Sequence, residues 1–116
     1  MDQRFLAHYR IRRAADYQRA YRQRVSVADP CIVIFGHPNG LPHPRLGLSV
    51  SRKVGGAVVR NRWKRLLREA FRLTRPQLPA EIDLIVIPRA GTEPTLAALM
   101  ESLVSLASRL ERKLNR

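Results

Sequence analysis

Six side chains that can bind phosphate recur at short intervals near the middle of the chain. They are Arg60, Asn61, Arg62, Lys64, Arg65 and Arg68. At about 100° per residue, positions 60, 64 and 68 form a row on one face of a helix, and Arg72 continues that row. Like charges at this spacing repel each other, and only Glu69 is close enough to relieve them. A row of one sign therefore indicates a surface that binds a polyanion, although most charged helix faces are simply solvated.

A double glycine, Gly55-Gly56, precedes this predicted helix, and Arg52 and Lys53 lie just before the glycines. The unpaired N–H groups and the dipole at a helix N-terminus bind phosphate. Arg52 and Lys53 therefore extend the predicted phosphate-binding surface to the turn before the helix. A double glycine alone is weak evidence, because ordinary loops use it everywhere.

The charge of the chain is concentrated in two segments. Of 116 residues, 22 are Lys or Arg and 9 are Asp or Glu, which gives a net charge of +13. Residues 45–75 contain ten of the basic residues against one acidic residue, residues 1–24 contain seven against two, and residues 76–116 are balanced. A basic surface kept only for solubility would not leave the last third neutral, so nucleic acid is favoured over a membrane surface.

Several classes of protein are excluded by what the sequence lacks. No apolar run approaches the roughly 20 residues that span a bilayer, and no apolar signal stretch follows Met1. A single cysteine, Cys31, excludes an internal disulfide framework and a cysteine-cluster zinc site. We therefore expect a cytoplasmic protein without a membrane partner.

The predicted elements indicate an α+β fold. Helices are predicted over 13–23, 57–73 and 95–114, and strands over 25–27, 31–35, 45–51 and 82–87. The order α-β-β-β-α-β-α predicts one domain over 1–116, with residues 1–11 flexible or extended. The apolar arc of the middle helix is predicted to be Val59, Trp63, Leu66, Leu67, Ala70 and Leu73. The strand at 82–87 is apolar on both faces apart from Asp83, so it is predicted to be central.

No residue is predicted to catalyse a reaction or to bind a metal ion. The histidines His8, His37 and His43 have no cysteine or carboxylate partners at ligand spacing. Glu81 and Asp83 are the only close carboxylates in a predicted strand region, and the sequence places them away from the basic segments. A metal-dependent nuclease would need carboxylates among its phosphate-binding residues, which argues against catalysis by the protein itself.

The stretch LGLSVSRKVGGAVVRNRWKRLLREAF (46–71) closely resembles the signature of the bacterial ribonuclease P protein component. The centre of that signature is Arg60-Asn61-Arg62, followed by Lys64, Arg65 and Arg68. A weaker resemblance extends over almost the whole chain. It implies a four-stranded sheet with a left-handed β-α-β crossover, which general rules would not predict. The family commonly has glycine where Arg24 stands and a polar residue where Gly56 stands.

The resemblance also implies a function. The catalyst in this family is RNA, and the protein is an accessory subunit of the holoenzyme that cuts precursor tRNA to free the mature 5′ end. Its implied partners are ribonuclease P RNA and precursor tRNA, with Mg²⁺ acting through the RNA and no protein partner. The helix that begins after Gly56, together with Arg52 and Lys53, is implied to dock on the catalytic RNA.

A second RNA surface is implied between the first helix and the sheet, where a cleft holds the single-stranded 5′ leader. The residues predicted for this leader cleft are Arg12, Arg13, Tyr17, Tyr21, Phe35, Ser49 and Ser51. If Leu46, Leu48 and Val50 face the core, the small residues between them leave room for a chain on the other face. Tyr17 and Tyr21 would then stack on bases, at about 1–3 kcal/mol per base. The alternative is that both tyrosines only pack in the core.

Two other functions remain open from the sequence. A small structural or ribosomal RNA-binding protein would carry the same basic surfaces but would not promote cleavage. A small protein nuclease would cleave without added catalytic RNA and would depend on Glu81 or Asp83.

Overall fold

The computed structural model describes residues 7–115, which contain three α-helices and four strands. The helices are α1 (Ala14–Gln23), α2 (Ala57–Thr74) and α3 (Leu96–Leu114). The strands are β1 (Ser26–Ala28), β2 (Ile32–Pro38), β3 (Arg45–Leu48) and β4 (Ile82–Pro88). The predicted α+β class and the order α-β-β-β-α-β-α are confirmed. No helix in the described part of the chain is both long enough and apolar enough to cross a membrane.

The four strands form one sheet in the order β1-β2-β4-β3. Strand β4 pairs antiparallel with β2 and parallel with β3, so its predicted central position is confirmed. The parallel pair is connected by α2, as a β-α-β crossover requires. The left-handed sense of this crossover stays a prediction from the resemblance.

The two faces of the sheet are covered by different helices. Helices α2 and α3 pack on one face and bury the main core, which includes Trp63, Phe71, Leu103 and Leu110. Helix α1 covers part of the other face, where a smaller cluster contains Ile11, Ala20 and Ile85. Helix α3 begins at Leu96, after Thr95, whose hydroxyl caps the helix by accepting a hydrogen bond from the Ala98 amide at 3.2 Å.

The predicted apolar arc of α2 is wrong at its N-terminal end. Val59 is 42% exposed and its neighbour Val58 is 84% exposed, because the first turn of α2 extends past the core. The buried positions of α2 are Trp63, Leu67, Ala70, Phe71 and Thr74. Thr74 is tolerated there because its hydroxyl donates to the Ala70 carbonyl at 2.7 Å.

Residues 1–11 were predicted to be flexible or extended; residues 1–6 lie outside the described chain, and residues 7–11 form a short 3₁₀ turn followed by an extended bridge to β3. Ala7–Tyr9 form a 3₁₀ turn, and the Ile11 amide donates to the Leu46 carbonyl at 2.9 Å. Ile11 itself is buried beneath α1. This segment therefore pairs with the outer edge of β3. The contact could not be predicted from the sequence, because the segment has no apolar periodicity.

Candidate nucleic-acid interface

Helix α2 presents its polar side chains in two parallel rows. Its buried face fixes its rotation about its own axis, because Trp63 and Leu67 are anchored in the main core. An inner row of half-buried side chains consists of Arg60, Lys64 and Arg68, and an outer row of exposed side chains consists of Asn61, Arg62 and Arg65. At about 100° per residue, these six positions together cover about 200° of the helix circumference, with Arg60 at one limit and Arg62 at the other.

Lys64 and Arg68 of the inner row face a small cavity beside the edge of β3, which we call the α2 pocket. Its volume is about 170 Å³, and among residues 7–115 its charged lining residues are Arg10, Lys64 and Arg68, without a carboxylate. Burial lowers the pKa of Arg68, and the positive charge of Arg10 lowers it further. A bound phosphate would offset the repulsion between these cations, so the pocket is suited to an anion.

Two further features of the α2 side chains favour phosphate binding. The Nε of Arg60 is buried and makes no hydrogen bond to the described residues. Among the described residues, the ion pair that Arg62 forms is a weak, exposed one with Glu93 at 4.0 Å. Arg72, by contrast, donates two hydrogen bonds to Glu69, so the predicted row of like charges ends at Arg68.

The turn before α2 leaves the N-terminal amides of the helix open. Gly55 has a φ of 147°, and a Cβ there would lie 2.8 Å from the Cβ of Val59, so this position requires glycine. Gly56 is the N-cap of α2 and supplies no side-chain cap. Arg52 and Lys53 are exposed in the 3₁₀ turn Arg52–Val54. The first amides of α2 and these two cations thus form an anion-binding end.

Helix α1 crosses the other face of the sheet from β3 to β2. Tyr17 lies over Gly47 of β3, Ala20 is clustered with Ile85 of β4, and Tyr21 contacts Phe35 of β2. Gly47, Ile85 and Phe35 are paired neighbours in the sheet, so they form one row beneath the helix. The Phe35 side chain therefore lies on the sheet face that α1 covers.

The two tyrosines of α1 differ in their surroundings. The Tyr17 hydroxyl accepts from the Leu48 amide at 3.2 Å and donates to the Ile11 carbonyl at 3.4 Å. Burial is the main cause that raises the pKa of Tyr17. Tyr21 meets Phe35 edge to face with ring centroids 5.1 Å apart. Both rings are half-buried, so each packs in the small cluster and also keeps an open surface.

The sequence analysis missed Val33 and Ile87, which extend the apolar surface beside α1. They pair with each other across β2 and β4, one step beyond Phe35 and Ile85 on the same sheet face. Both are half-buried. We call the surface formed by Tyr17, Tyr21, Phe35, Val33 and Ile87 the tyrosine cleft. The period-2 spacing from Phe35 and Ile85 was the signal that could have identified these two residues.

The structure does not bring together all seven residues predicted for the leader cleft. Ser49 stays near the tyrosine cleft, because its amide donates to the Val86 carbonyl at 3.0 Å. Ser51 lies beyond β3 and caps the next turn, with its hydroxyl accepting from the Lys53 amide at 3.3 Å. Arg12 and Arg13 lie on the opposite side of α1, where they line a different cavity with Asp16 and Arg45.

Asp83 does not lie apart from the basic segments, as the sequence had suggested. It is 2% exposed, and its two carboxylate oxygens accept hydrogen bonds from the guanidinium of Arg45 at 2.8 and 2.7 Å. The side-chain Nδ2 of Asn39 donates to the same carboxylate at 2.9 Å. The hydrogen bonds to Asp83 are the main cause that raises the pKa of Arg45. Within residues 7–115, no group of three or more His, Cys, Asp or Glu residues could hold a metal ion.

Comparison with known proteins identifies relatives along most of the chain. Residues 5–111 match the model of the family described as Ribonuclease P. A ribonuclease P protein component from Lactococcus lactis is 42% identical over 85 residues, which are 73% of this chain and 72% of that protein. One from Caldanaerobacter subterraneus is 39% identical over 98 residues, which are 84% of each chain.

Two solved structures have a similar fold. The RNase P protein from Thermotoga maritima has a TM-score of 0.78 and 31% identity, covering 86% of this chain and 96% of its own. A mutant of the Staphylococcus aureus RNase P protein with defective mRNA degradation activity has a TM-score of 0.78 and 38% identity, covering 90% and 89% of the two chains.

Proposed function

The chain belongs to the ribonuclease P protein family, and from this premise we propose that it is the accessory subunit of an enzyme whose catalytic centre is RNA. Its role as a protein component of ribonuclease P follows from the family match and from its close relatives. In the proposed assembly, α2 binds the catalytic RNA and the tyrosine cleft binds the 5′ leader of precursor tRNA.

The observation that carries this proposal is that the inner and outer rows of α2 contain only basic side chains and one neutral amide, Asn61. Lys64 and Arg68 of its inner row line the α2 pocket, where residues 7–115 place no carboxylate. Within the same residues, the ion pair found for its exposed outer row is that of Arg62 with Glu93 at 4.0 Å. A phosphodiester backbone supplies the missing negative charge, and the release of its counterions drives the association. Added positive charge should also lower the magnesium concentration that the RNA needs, with Mg²⁺ acting through the RNA.

The tyrosine cleft supports the second half of the proposal. Its rings and aliphatic side chains are half-buried on an open sheet face, which suits bases from a single strand rather than a duplex. Single-stranded bases stack on aromatic side chains, so a precursor with a leader would bind more tightly than mature tRNA. The protein would thereby favour substrate over product in the cytoplasm, where we expect it to act.

The experiment measures cleavage of a precursor tRNA at low magnesium by a bacterial ribonuclease P RNA, with and without this protein, beside a protein-only control. We expect strong stimulation and no cleavage by the protein alone. Binding to the RNA without stimulation would favour a structural RNA-binding protein. Cleavage by the protein alone, abolished in Glu81→Gln or Asp83→Asn, would favour a protein nuclease.

A further inference from the structure

A cavity on the far side of α1 from the tyrosine cleft is lined by five arginines, and we call it the arginine groove. It has a volume of about 700 Å³, and the five are Arg10, Arg12, Arg13, Arg19 and Arg45. Pockets for small organic ligands are lined mainly by apolar and aromatic side chains. A groove with this many guanidinium groups instead suits a polyanion.

The position of the groove follows from the sheet register. Arg45, Asp83 and His37 are paired neighbours, one step from the row that α1 covers, on the side opposite Val33 and Ile87. Helix α1 is tied to this row because Asp16 lies 3.5 Å from Arg45 and the Gln23 side chain lies 2.8 Å from His37. The helix therefore separates one sheet face into two binding surfaces.

The carboxylates in the groove do not cancel its positive charge. Asp83 is held by Arg45 through two hydrogen bonds, and Asp16 lies within 4 Å of both Arg45 and Arg19. Arg12 and Arg13 are exposed and form no ion pair with residues 7–115. Phosphates would therefore contact the exposed edge of the groove, where the guanidinium groups of Arg12 and Arg13 lie.

The groove also offers aromatic rings at one end. His8 and His43 both line it, with ring centroids 5.2 Å apart, and Tyr9 packs against both rings. Basic side chains that alternate with aromatic rings are typical of single-stranded nucleic-acid sites, where rings stack on bases. These rings favour single-stranded over double-stranded nucleic acid, because the bases of a duplex are already stacked on each other.

Arg10 connects the groove to the RNA surfaces already described. It lines the arginine groove and also the α2 pocket, which Tyr17 lines as well. An RNA single strand that leaves the tyrosine cleft beside Tyr17 would therefore pass Arg10 and reach the arginine groove without leaving basic side chains. We propose that the arginine groove binds the 5′-distal nucleotides of a long precursor leader, a proposal that rests on the proposed function above.

The experiment compares the affinity of the reconstituted holoenzyme for precursors whose leaders end within the tyrosine cleft or continue well beyond it. We expect the longer leader to bind several-fold more tightly to the wild type, and Arg12→Gln/Arg13→Gln to abolish that gain. Arg109→Gln/Arg112→Gln, which removes the same charge from exposed positions of α3, should retain the gain. Arg19→Gln provides a second test within the groove, and circular dichroism checks the fold of every variant.

The possible results separate this proposal from the proposed function. If the wild type shows no gain with the longer leader but still stimulates cleavage of the short-leader precursor, the groove proposal is overturned and the subunit role stands. If Arg12→Gln/Arg13→Gln weakens both precursors equally, or weakens binding of the catalytic RNA alone, the leader is not the occupant and the proposal is also overturned.

Discussion

The ring of Tyr17 fills the space that a side chain at Gly47 would need. A Cβ built on Gly47 would lie 2.9 Å from the Tyr17 hydroxyl oxygen and 3.0 Å from two ring carbons. The hydroxyl is fixed by the Leu48 amide and the Ile11 carbonyl. The small residue in β3 therefore makes room for an aromatic ring of the protein, and the ring in turn forms one wall of the tyrosine cleft.

We expect Gly47→Ala to displace the Tyr17 ring and to destabilise the protein by about 1–3 kcal/mol, as overpacking usually does. In a Tyr17→Leu background the same change should have a smaller effect, because the clash is absent. Urea unfolding of the four proteins in this double-mutant cycle measures the coupling. Equal effects in both backgrounds would show that the two residues are independent.

The rows of α2 give a prediction about salt dependence. We expect Arg62→Gln/Arg65→Gln to weaken binding to ribonuclease P RNA. The slope of log K against log salt should fall by about 0.7–0.9 for each phosphate that the variant no longer neutralises. Titrations at several salt concentrations measure this slope. The matched variant Arg109→Gln/Arg112→Gln should retain the wild-type slope, and an unchanged slope in the α2 variant would remove the outer row from the interface.

The end of α1 contains a residue in an unfavourable backbone conformation. Arg24 has φ 56° and ψ 25°, and its amide donates to the Tyr21 carbonyl at 3.2 Å. Glycine adopts this left-handed conformation without steric penalty, so Arg24→Gly should stabilise the protein by about 0.5–1 kcal/mol. Thermal unfolding tests this, with Arg22→Gly in the last turn as a control that should be destabilised by about 1 kcal/mol. A lower Tm for Arg24→Gly would contradict the assigned strain.

Much of the fold could be predicted from the sequence because its elements carry local signals. The apolar periodicity of α3 and the apolar run of β4 each indicate an element from the local sequence alone. The exposure of Val59 could not be predicted in this way. The helical period shows which side chains share a face, but it does not show where the core ends along the helix axis.

The candidate site was predicted less completely than the elements. The α2 rows were recognisable because all their residues lie in one helix. The arginine groove combines α1, the start of β3 and the segment before α1, and only the folded chain brings Arg10, Arg19 and Arg45 together. The pairing of Asp83 with Arg45 spans 38 residues, so no local pattern indicated it.

The contact between Arg45 and Asp83 predicts a large loss of stability when one partner is removed. Arg45→Met would leave a carboxylate that is 2% exposed without its cation, which typically costs about 3–5 kcal/mol. The double variant Arg45→Met/Asp83→Leu should recover much of this loss, because it leaves no buried charge. Urea unfolding distinguishes the cases, and a double variant as unstable as Arg45→Met would show that packing, not charge, causes the effect.

Asp29 gives the fold a dependence on acid pH. The Ser102 hydroxyl and the amides of Ile32 and Cys31 donate to its carboxylate at 2.6, 3.0 and 2.8 Å. Burial acts to raise the pKa of Asp29, but these hydrogen bonds outweigh it, so the pKa lies below its ordinary value of 3.8. A lowered pKa in the folded state means that the stabilisation is fully present above the ordinary value and is lost as the pH falls through the folded value.

We therefore expect Asp29→Asn to be less stable than the wild type by a constant amount from neutral pH down to about pH 5, with the difference shrinking below about pH 4. Asparagine lacks the carboxylate charge, so the variant loses the charge-assisted hydrogen bonds from Ser102, Ile32 and Cys31 that the wild type makes at pH values above the folded pKa of Asp29. Urea unfolding at a series of pH values measures the difference. Because Ser102→Ala removes one cause of the lowered pKa, its own pH dependence should be flatter than that of the wild type. A stability difference for Asp29→Asn that persists unchanged at pH 3 would assign the effect to shape and not to the carboxylate charge.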